Sequence, residues 1–396
     1  MFSQANSEAQ ATEDAEEQEN LPAPPSPSLK DSYCQTETPV MSVACQTETS
    51  VVSAGCQTAS SLVEDGSGDE FDLPHTSDPT DKDYEPSGDE LHEDMEEDFE
   101  FKYFLRDRIR RLVEKHSKRY IGVPPGYLKA VHILARDHVQ HPADSELTAY
   151  DICLIVLMKI RQNRSFDIIA DDFGISRGYV GKLFAKHLPC IADAMRELVF
   201  WPTAEAIRRA LPLAFKARFA RTTCIIDCLE IQVEKPGGAV NQSVTFSSYK
   251  ACNTVKYLVS NTPNGFVNFV SSGYGGRASD MAILEDSGFI DHLEPGMVVM
   301  ADRGFKSLEP LLARKGCSLV RPSSVSSQTL MSKEEVKWTK QVASLRIHVE
   351  RAIRRIREFD LLRPHACVEH QLLSLLDDCV HTACALINMQ PPLVKV

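Results

Sequence analysis

The division of charge along the chain limits most severely what it can fold into. Of 396 residues, the first hundred hold 26 Asp and Glu against only Lys30 and Lys82, a net −24, whereas residues 101–396 carry 41 Lys and Arg against 30 acids, a net +11. The acidic stretch is rich in Ser, Thr and Pro and poor in apolar residues, so it cannot bury enough surface to offset the entropy of ordering its backbone. Disorder is expected over residues 1–100, and any core must come from the remainder. The overall charge of −13 therefore hides a basic body. Such a body suits a polyanionic partner, because Lys and Arg at phosphates release condensed counterions, and the acidic tail is placed to compete with DNA for it.

One segment recurs inside the acidic region, at residues 34–38, 45–49 and 56–60, each copy opening on Cys-Gln-Thr eleven residues after the last. These copies resemble the Gln-Thr-centred peptides that add a β-strand to the dynein light chain hub, where tandem copies raise avidity. A low-complexity duplication without a partner is the alternative. The 12 cysteines include no CxxC pair, and no apolar N-terminal stretch reads as a signal peptide, so reduced thiols in the cytosol or nucleus are expected. Cys153, Cys224 and Cys379 read as small apolar core residues. No apolar run approaches the ~20 residues that span a bilayer, so no membrane partner is expected.

The body opens on a helical pattern at Phe101, where Arg106, Arg108, Arg110 and Arg111 interleave with Ile109, Leu112 and Val113. This basic run reads either as a nuclear-import or DNA-contact element or as the solvated face of an amphipathic helix. Further on, Thr148 is a good N-cap for a helix through Ile160, and a short helix follows over residues 166–173. Gly174 breaks it and Ser176 caps a third helix, with Val180, Leu183 and Phe184 inward and Arg177, Tyr179, Lys182 and Lys186 outward. Helix, glycine turn and capped helix form the pattern of a DNA-reading helix-turn-helix, whose second helix enters the major groove; an αα-hairpin packed for structural reasons has the same pattern. Residues 101–215 are thus expected as an all-α domain.

The C-terminal part, residues 216–396, carries the acids of interest. Residues 224–233 read as a strand with Ile225, Leu229, Ile231 and Val233 on one face and Asp227 among them. A carboxylate on an apolar face is costly unless a cation or hydrogen bonds satisfy it, which makes Asp227 a candidate ligand. Strands are expected at 254–260 and 265–271, joined by the turn Pro263-Asn264-Gly265. Asp280 closes a Gly-rich loop and reads equally as a ligand or as the cap of a helix from Met281. Asp302 ends the apolar run 297–301 with Gly304 two residues on, a rigid place for a site residue. Glu350 lies on a long helix over about residues 332–359, four residues from Arg346 and Arg354, so an i,i+4 ion pair is its bland reading. Together these oxygen ligands suit Mg²⁺ or Mn²⁺, and the absence of Cys clusters argues against zinc.

In order and wording these segments resemble DDE superfamily transposases of the PIF/Harbinger-like group. The resemblance rests on Ile226-Asp227-Cys228, Tyr249-Lys250, Asn253-Thr254-Val255-Lys256, residues 275–280, Ala301-Asp302-Arg303-Gly304-Phe305 and residues 346–351, and it covers roughly residues 120–390 with the helix-turn-helix upstream. It implies an α/β, RNase H-like mixed sheet flanked by helices, with Asp227, Asp302 and Glu350 as a metal-binding catalytic triad and Asp280 as an auxiliary acid. Two Mg²⁺ or Mn²⁺ ions bridged by a scissile phosphate would then hydrolyse DNA phosphodiesters and transfer strands at transposon ends. Lys250, Lys256, Arg277 and Arg303 become candidate phosphate holders beside Arg177, Tyr179 and Lys182. Double-stranded DNA is the expected partner, a homodimer the expected assembly and the nucleus the expected compartment. Two positions depart from the pattern: Leu229 stands where relatives often have Thr, and Arg321-Pro322-Ser323-Ser324 replaces an apolar and aromatic run. They keep open the alternative of a domesticated DNA-binding or scaffolding protein that does not cut.

Overall fold

The computed structural model describes residues 88–140, 145–323 and 331–393, with side chains from Asp98 onward. Residues 1–87, and with them the Cys-Gln-Thr repeats, lie outside the described residues; residues 88–100, expected to be disordered, are instead the opening turns of a helix that runs on into the apolar pattern from Phe101.

Five helices open the described chain: α1 (Gly88–Ile121), α2 (Leu128–His138), α3 (Ala149–Gln162), α4 (Phe166–Phe173) and α5 (Arg177–Arg196). The first begins well before Phe101, where the apolar pattern becomes readable. Helix α3 is the hub, with every residue from Asp151 to Ile160 buried. An apolar run of that kind on all sides must be wrapped by other helices, and α1, α2, α4 and α5 wrap it.

The basic run of α1 is largely committed within the protein rather than left as a solvated face. Arg106 is buried and donates to the Phe173 carbonyl and to Glu146. Arg110 makes a bidentate pair with fully buried Asp151 at 2.7 and 2.6 Å. Arg108 stays half exposed but reaches Asp172 at 3.3 Å, and only Arg111, paired with Asp107 one turn away, has its partner on the same helix. The acids that receive the other three come from distant elements, so nothing within the run itself indicates its role.

Two short helices, α6 (Ala204–Arg209) and α7 (Leu213–Lys216), lead to the sheet. Its elements run β1 (Thr222–Gln232), α8 (Ala239–Thr245), β2 (Phe246–Ser247), β3 (Cys252–Asn261), β4 (Val267–Val270), β5 (Tyr274–Gly275), α9 (Asp280–Asp286), β6 (Val298–Met300), α10 (Leu308–Arg314) and β7 (Ser318–Val320), followed by α11 (Lys333–Ile356) and α12 (Leu376–Asn388). The order is β2-β3-β1-β6-β7, with β4 and β5 also on β3. Strands β1 and β3 are antiparallel, whereas β1, β6 and β7 are parallel, so the sheet is mixed. The turn between β3 and β4 closes through Gly265, whose φ of +91° few residues but glycine adopt.

Strand alternation sends odd-numbered β1 residues Ile225, Leu229 and Ile231 into a core shared with α11, α12 and the upstream helices, and even-numbered Cys224 and Ile226 into a second core under α9 and α10. The first core is continuous from α1 through α5 into the sheet, so the change from helix to strand near residue 215 does not divide it. Cys153, Cys224 and Cys379 are all fully buried and free. Among the described residues, no helix is long and apolar enough to cross a membrane.

Candidate functional site

Parallel register brings the first two acids side by side. Ile225 of β1 pairs with Met300 of β6, so Asp227, two residues along β1, and Asp302, two residues past the end of β6, come to the same end and face of the sheet. Strand β6 ends at Met300, leaving Asp302 at the carboxyl end of a parallel strand, where open α/β sheets place their ligands. Helix α11 packs on that face through Val342, Leu345, Val349 and Ile353. Its Glu350 and Arg346, one turn apart, are thereby carried to the two strand acids.

Arg346 is the centre of the group. Its guanidinium lies 2.9 Å from Asp302, 3.8 Å from Asp227 and 3.7 Å from Glu350, and its own side chain is 13% exposed. The expected i,i+4 partner of Glu350 is therefore a bridge among all three acids. Among the described residues, no three acid, His or Cys side chains stand as a ready-made metal cluster; here the guanidinium lies among the carboxylates. The donor set still fits a hard divalent ion. All donors are carboxylate oxygens, and burial pushes the Asp227 carboxyl up to about 6 despite the opposing pull of the Cys228 N–H and Arg346, so the acid lacks enough positive charge nearby. A second half-buried guanidinium, Arg357, lends charge toward Asp227 and Glu230 while its Nε finds no hydrogen-bond partner.

That carboxyl gives a pH prediction. With a folded value near 6 against 3.8 in the open chain, the folded state keeps a proton between about pH 4 and 6 that the unfolded state has released. Stability therefore falls as pH rises through that window, and the full cost is present above it. Asp227→Asn should be more stable than the wild type by about 1–2 kcal/mol at pH 7 and nearly equal to it at pH 4, after allowing for partial solvent screening. Urea midpoints in EDTA at both pH values check this, and a difference that does not grow with pH would count against it.

Asp280 does not join the acids around Arg346. Ser279, rather than Asp280, caps α9, and Asp280 is the first helical residue. Lys256 precedes Leu258 by two residues and so points to the second core; its ammonium holds the Ala278 carbonyl at 3.0 Å and Asp280 at 3.5 Å. The parity of β3 thus sets Lys256 and its partner Asp280 on the other side of the sheet from Asp227, where Asp280 acts on that carboxyl only through space, as the smallest of the causes that shift it. The Lys256 ammonium is committed inside the protein. Arg303, Lys250 and Arg277 are exposed, with Arg277 donating to Ser243. The Gly-rich loop is held tightly, since a side chain at Gly276 would meet the Thr245 carbonyl at 2.6 Å.

The helix-turn-helix follows the sequence closely. Thr148 forms a capping box with Asp151, Gly174 ends α4 in the left-handed region at φ +61°, and Ser176 caps α5. Val180, Leu183 and Phe184 are buried, whereas Arg177, Tyr179 and Lys186 are exposed and Lys182 is too, as its place one turn beyond Gly178 requires. Arg177 reaches Asp167 at 3.6 Å while staying 68% exposed, so it is available to a ligand.

Acids gathered on one face of a mixed sheet, downstream of a helix-turn-helix with an exposed basic second helix, give the layout of a nuclease-type domain behind a helix-turn-helix. Family comparison agrees. Residues 226–388 match the family model described as DDE superfamily endonuclease, and residues 145–197 match the one described as helix-turn-helix of DDE superfamily endonuclease. The chain thus carries both domains, and Asp227, Asp280, Asp302 and Glu350 all fall inside the first. No curated protein matches the chain significantly.

Proposed function

We propose that this chain is a divalent-metal-dependent DNA endonuclease and strand transferase of the PIF/Harbinger-like group, acting in the nucleus, with Asp227, Asp302 and Glu350 as the metal-holding acids of an RNase H-like domain. The observation that carries this reading is the convergence of three acids, far apart in sequence, on one guanidinium at 2.9–3.8 Å. Mg²⁺ or Mn²⁺ held there supplies positive charge at a scissile phosphate and eases deprotonation of the attacking hydroxyl. The chain's own groups do the rest. Asp227 is fixed by the paired strand β1, and Asp302, just past the end of β6, is oriented by the Arg303 N–H that its carboxylate accepts. Arg346 balances their charge until DNA and metal arrive, and exposed Arg303, next to Asp302, is placed to hold a backbone phosphate. Helix α5 offers Arg177, Tyr179 and Lys182 to the major groove.

The test is nicking of supercoiled plasmid by the purified chain in Mg²⁺ or Mn²⁺, abolished by chelation. A protein that binds the plasmid but never nicks it, even in Mn²⁺, overturns the reading. That outcome would favour a domesticated DNA-binding or scaffolding protein, a reading supported by the Arg346 guanidinium that already lies among the three acids. In that role the Cys-Gln-Thr segments would gather a dynein light chain-type hub, and a homodimer would present two helix-turn-helix units to one DNA.

A further inference from the structure

A cleft of about 1140 Å³ opens between α8, the β2–β3 hairpin and the Gly-rich loop. Its lining contains no Asp or Glu and includes Lys235 and Arg277, together with Lys256, whose ammonium is held by Asp280. The basic pocket beside α1 differs, because Asp172, Glu358 and Asp360 balance its arginines. At the tip of the hairpin, Tyr249 stands 86% exposed on the cleft wall with the Lys250 ammonium 4.9 Å from its ring centre. Tyrosine rings seldom stand so bare without a partner, and the backbone that carries this one is held in place. The hairpin pairs Phe246 with Asn253 and Ser247 with Cys252, the Lys250 N–H donates to Ser247 Oγ, and Ala251 takes a left-handed φ of +54° that an alanine adopts only at a cost.

The cleft also lies along the strand that carries the first acid. Gln232 at its edge is five residues beyond Asp227 on β1, roughly 17 Å at ~3.3 Å per residue, while Lys256 in its lining stands on the face of the sheet opposite that acid. A groove with cations, no acids and an aromatic platform is the chemistry that holds single-stranded nucleic acid: cations track phosphates, and any base can stack on the ring.

We propose that this cleft holds an unpaired stretch of the DNA being processed, with Tyr249 stacking on one of its bases and Arg277 and Lys235 at its phosphates. The proposal rests on the reading that the chain acts on DNA, but not on its cutting DNA. The experiment measures anisotropy of the full chain with a fluorescein-labelled ten-nucleotide oligothymidine and, separately, with a labelled duplex, in EDTA so that cleavage plays no part. Tyr249→Ala should weaken oligothymidine binding about tenfold and leave duplex binding unchanged, while Tyr249→Trp keeps both. Arg277→Ala should also weaken single-strand binding and make its salt dependence shallower, since one phosphate contact is lost. Equal loss on both DNAs, or single-strand affinity of Tyr249→Ala within twofold of the wild type, would overturn the proposal. So would a change in oligomeric mass with Tyr249→Ala in the absence of DNA, which would make the ring a contact between copies of the chain. A wild type that binds oligothymidine through Tyr249 but never nicks plasmid leaves the cleft standing and removes only the nuclease.

Discussion

Asp302→Asn is expected to slow metal-dependent nicking about 10³-fold, the order lost when one preorganised charge or donor is removed from a transition state. Asparagine keeps the size and one oxygen of the side chain and removes the negative charge that draws a cation in. Folding should be almost unaffected, because the Asp302 side chain is 47% exposed and its pair with Arg346 at 2.9 Å is one of three that the guanidinium makes. Duplex affinity should hold as well, since the exposed residues of α5 belong to another element. Nicking rate and duplex anisotropy on the same preparation separate the two effects. A variant that cuts within tenfold of the wild type would remove Asp302 from the chemistry.

The second large effect is structural. Arg110→Met should cost about 3–5 kcal/mol of stability, because it strands the fully buried Asp151 carboxylate without its bidentate partner. Asp151 also accepts from the Thr148 N–H at 2.9 Å and Oγ1 at 2.7 Å, but those bonds do not neutralise its charge. Adding Asp151→Leu should restore most of the loss, leaving a deficit of about 1 kcal/mol for the broken capping box. Urea denaturation of the single and double variants gives the coupling directly. Equal stability of wild type and Arg110→Met would show that the pair does not hold α1 to α3.

Much of the site is legible in the order of the amino acids. Asp227 is marked by its apolar strand, Asp302 by the strand end and the glycine after it, and the caps Thr148 and Ser176 by hydroxyls that precede apolar periodicity. These signals are local: a cap, a turn or a strand face is set by residues a few places apart. The arginines of α1 mislead for the complementary reason. Solvated, DNA-binding and internally paired arginines look alike in sequence, and only Glu146, Asp151 and Asp172, brought in from other elements, decide among them.

The same division runs through the functional site. By itself the sequence determined which acids exist, which elements carry them and where the helix-turn-helix begins and ends. Tertiary structure alone decided that β1 and β6 run parallel in a register that brings Asp227 and Asp302 to the same end and face of the sheet, that strand parity turns Lys256 and its partner Asp280 away from that face, and that α11 lays Arg346 among three carboxylates. Register and facing depend on which strands meet, and that choice is made by burying two whole cores at once rather than by any short segment.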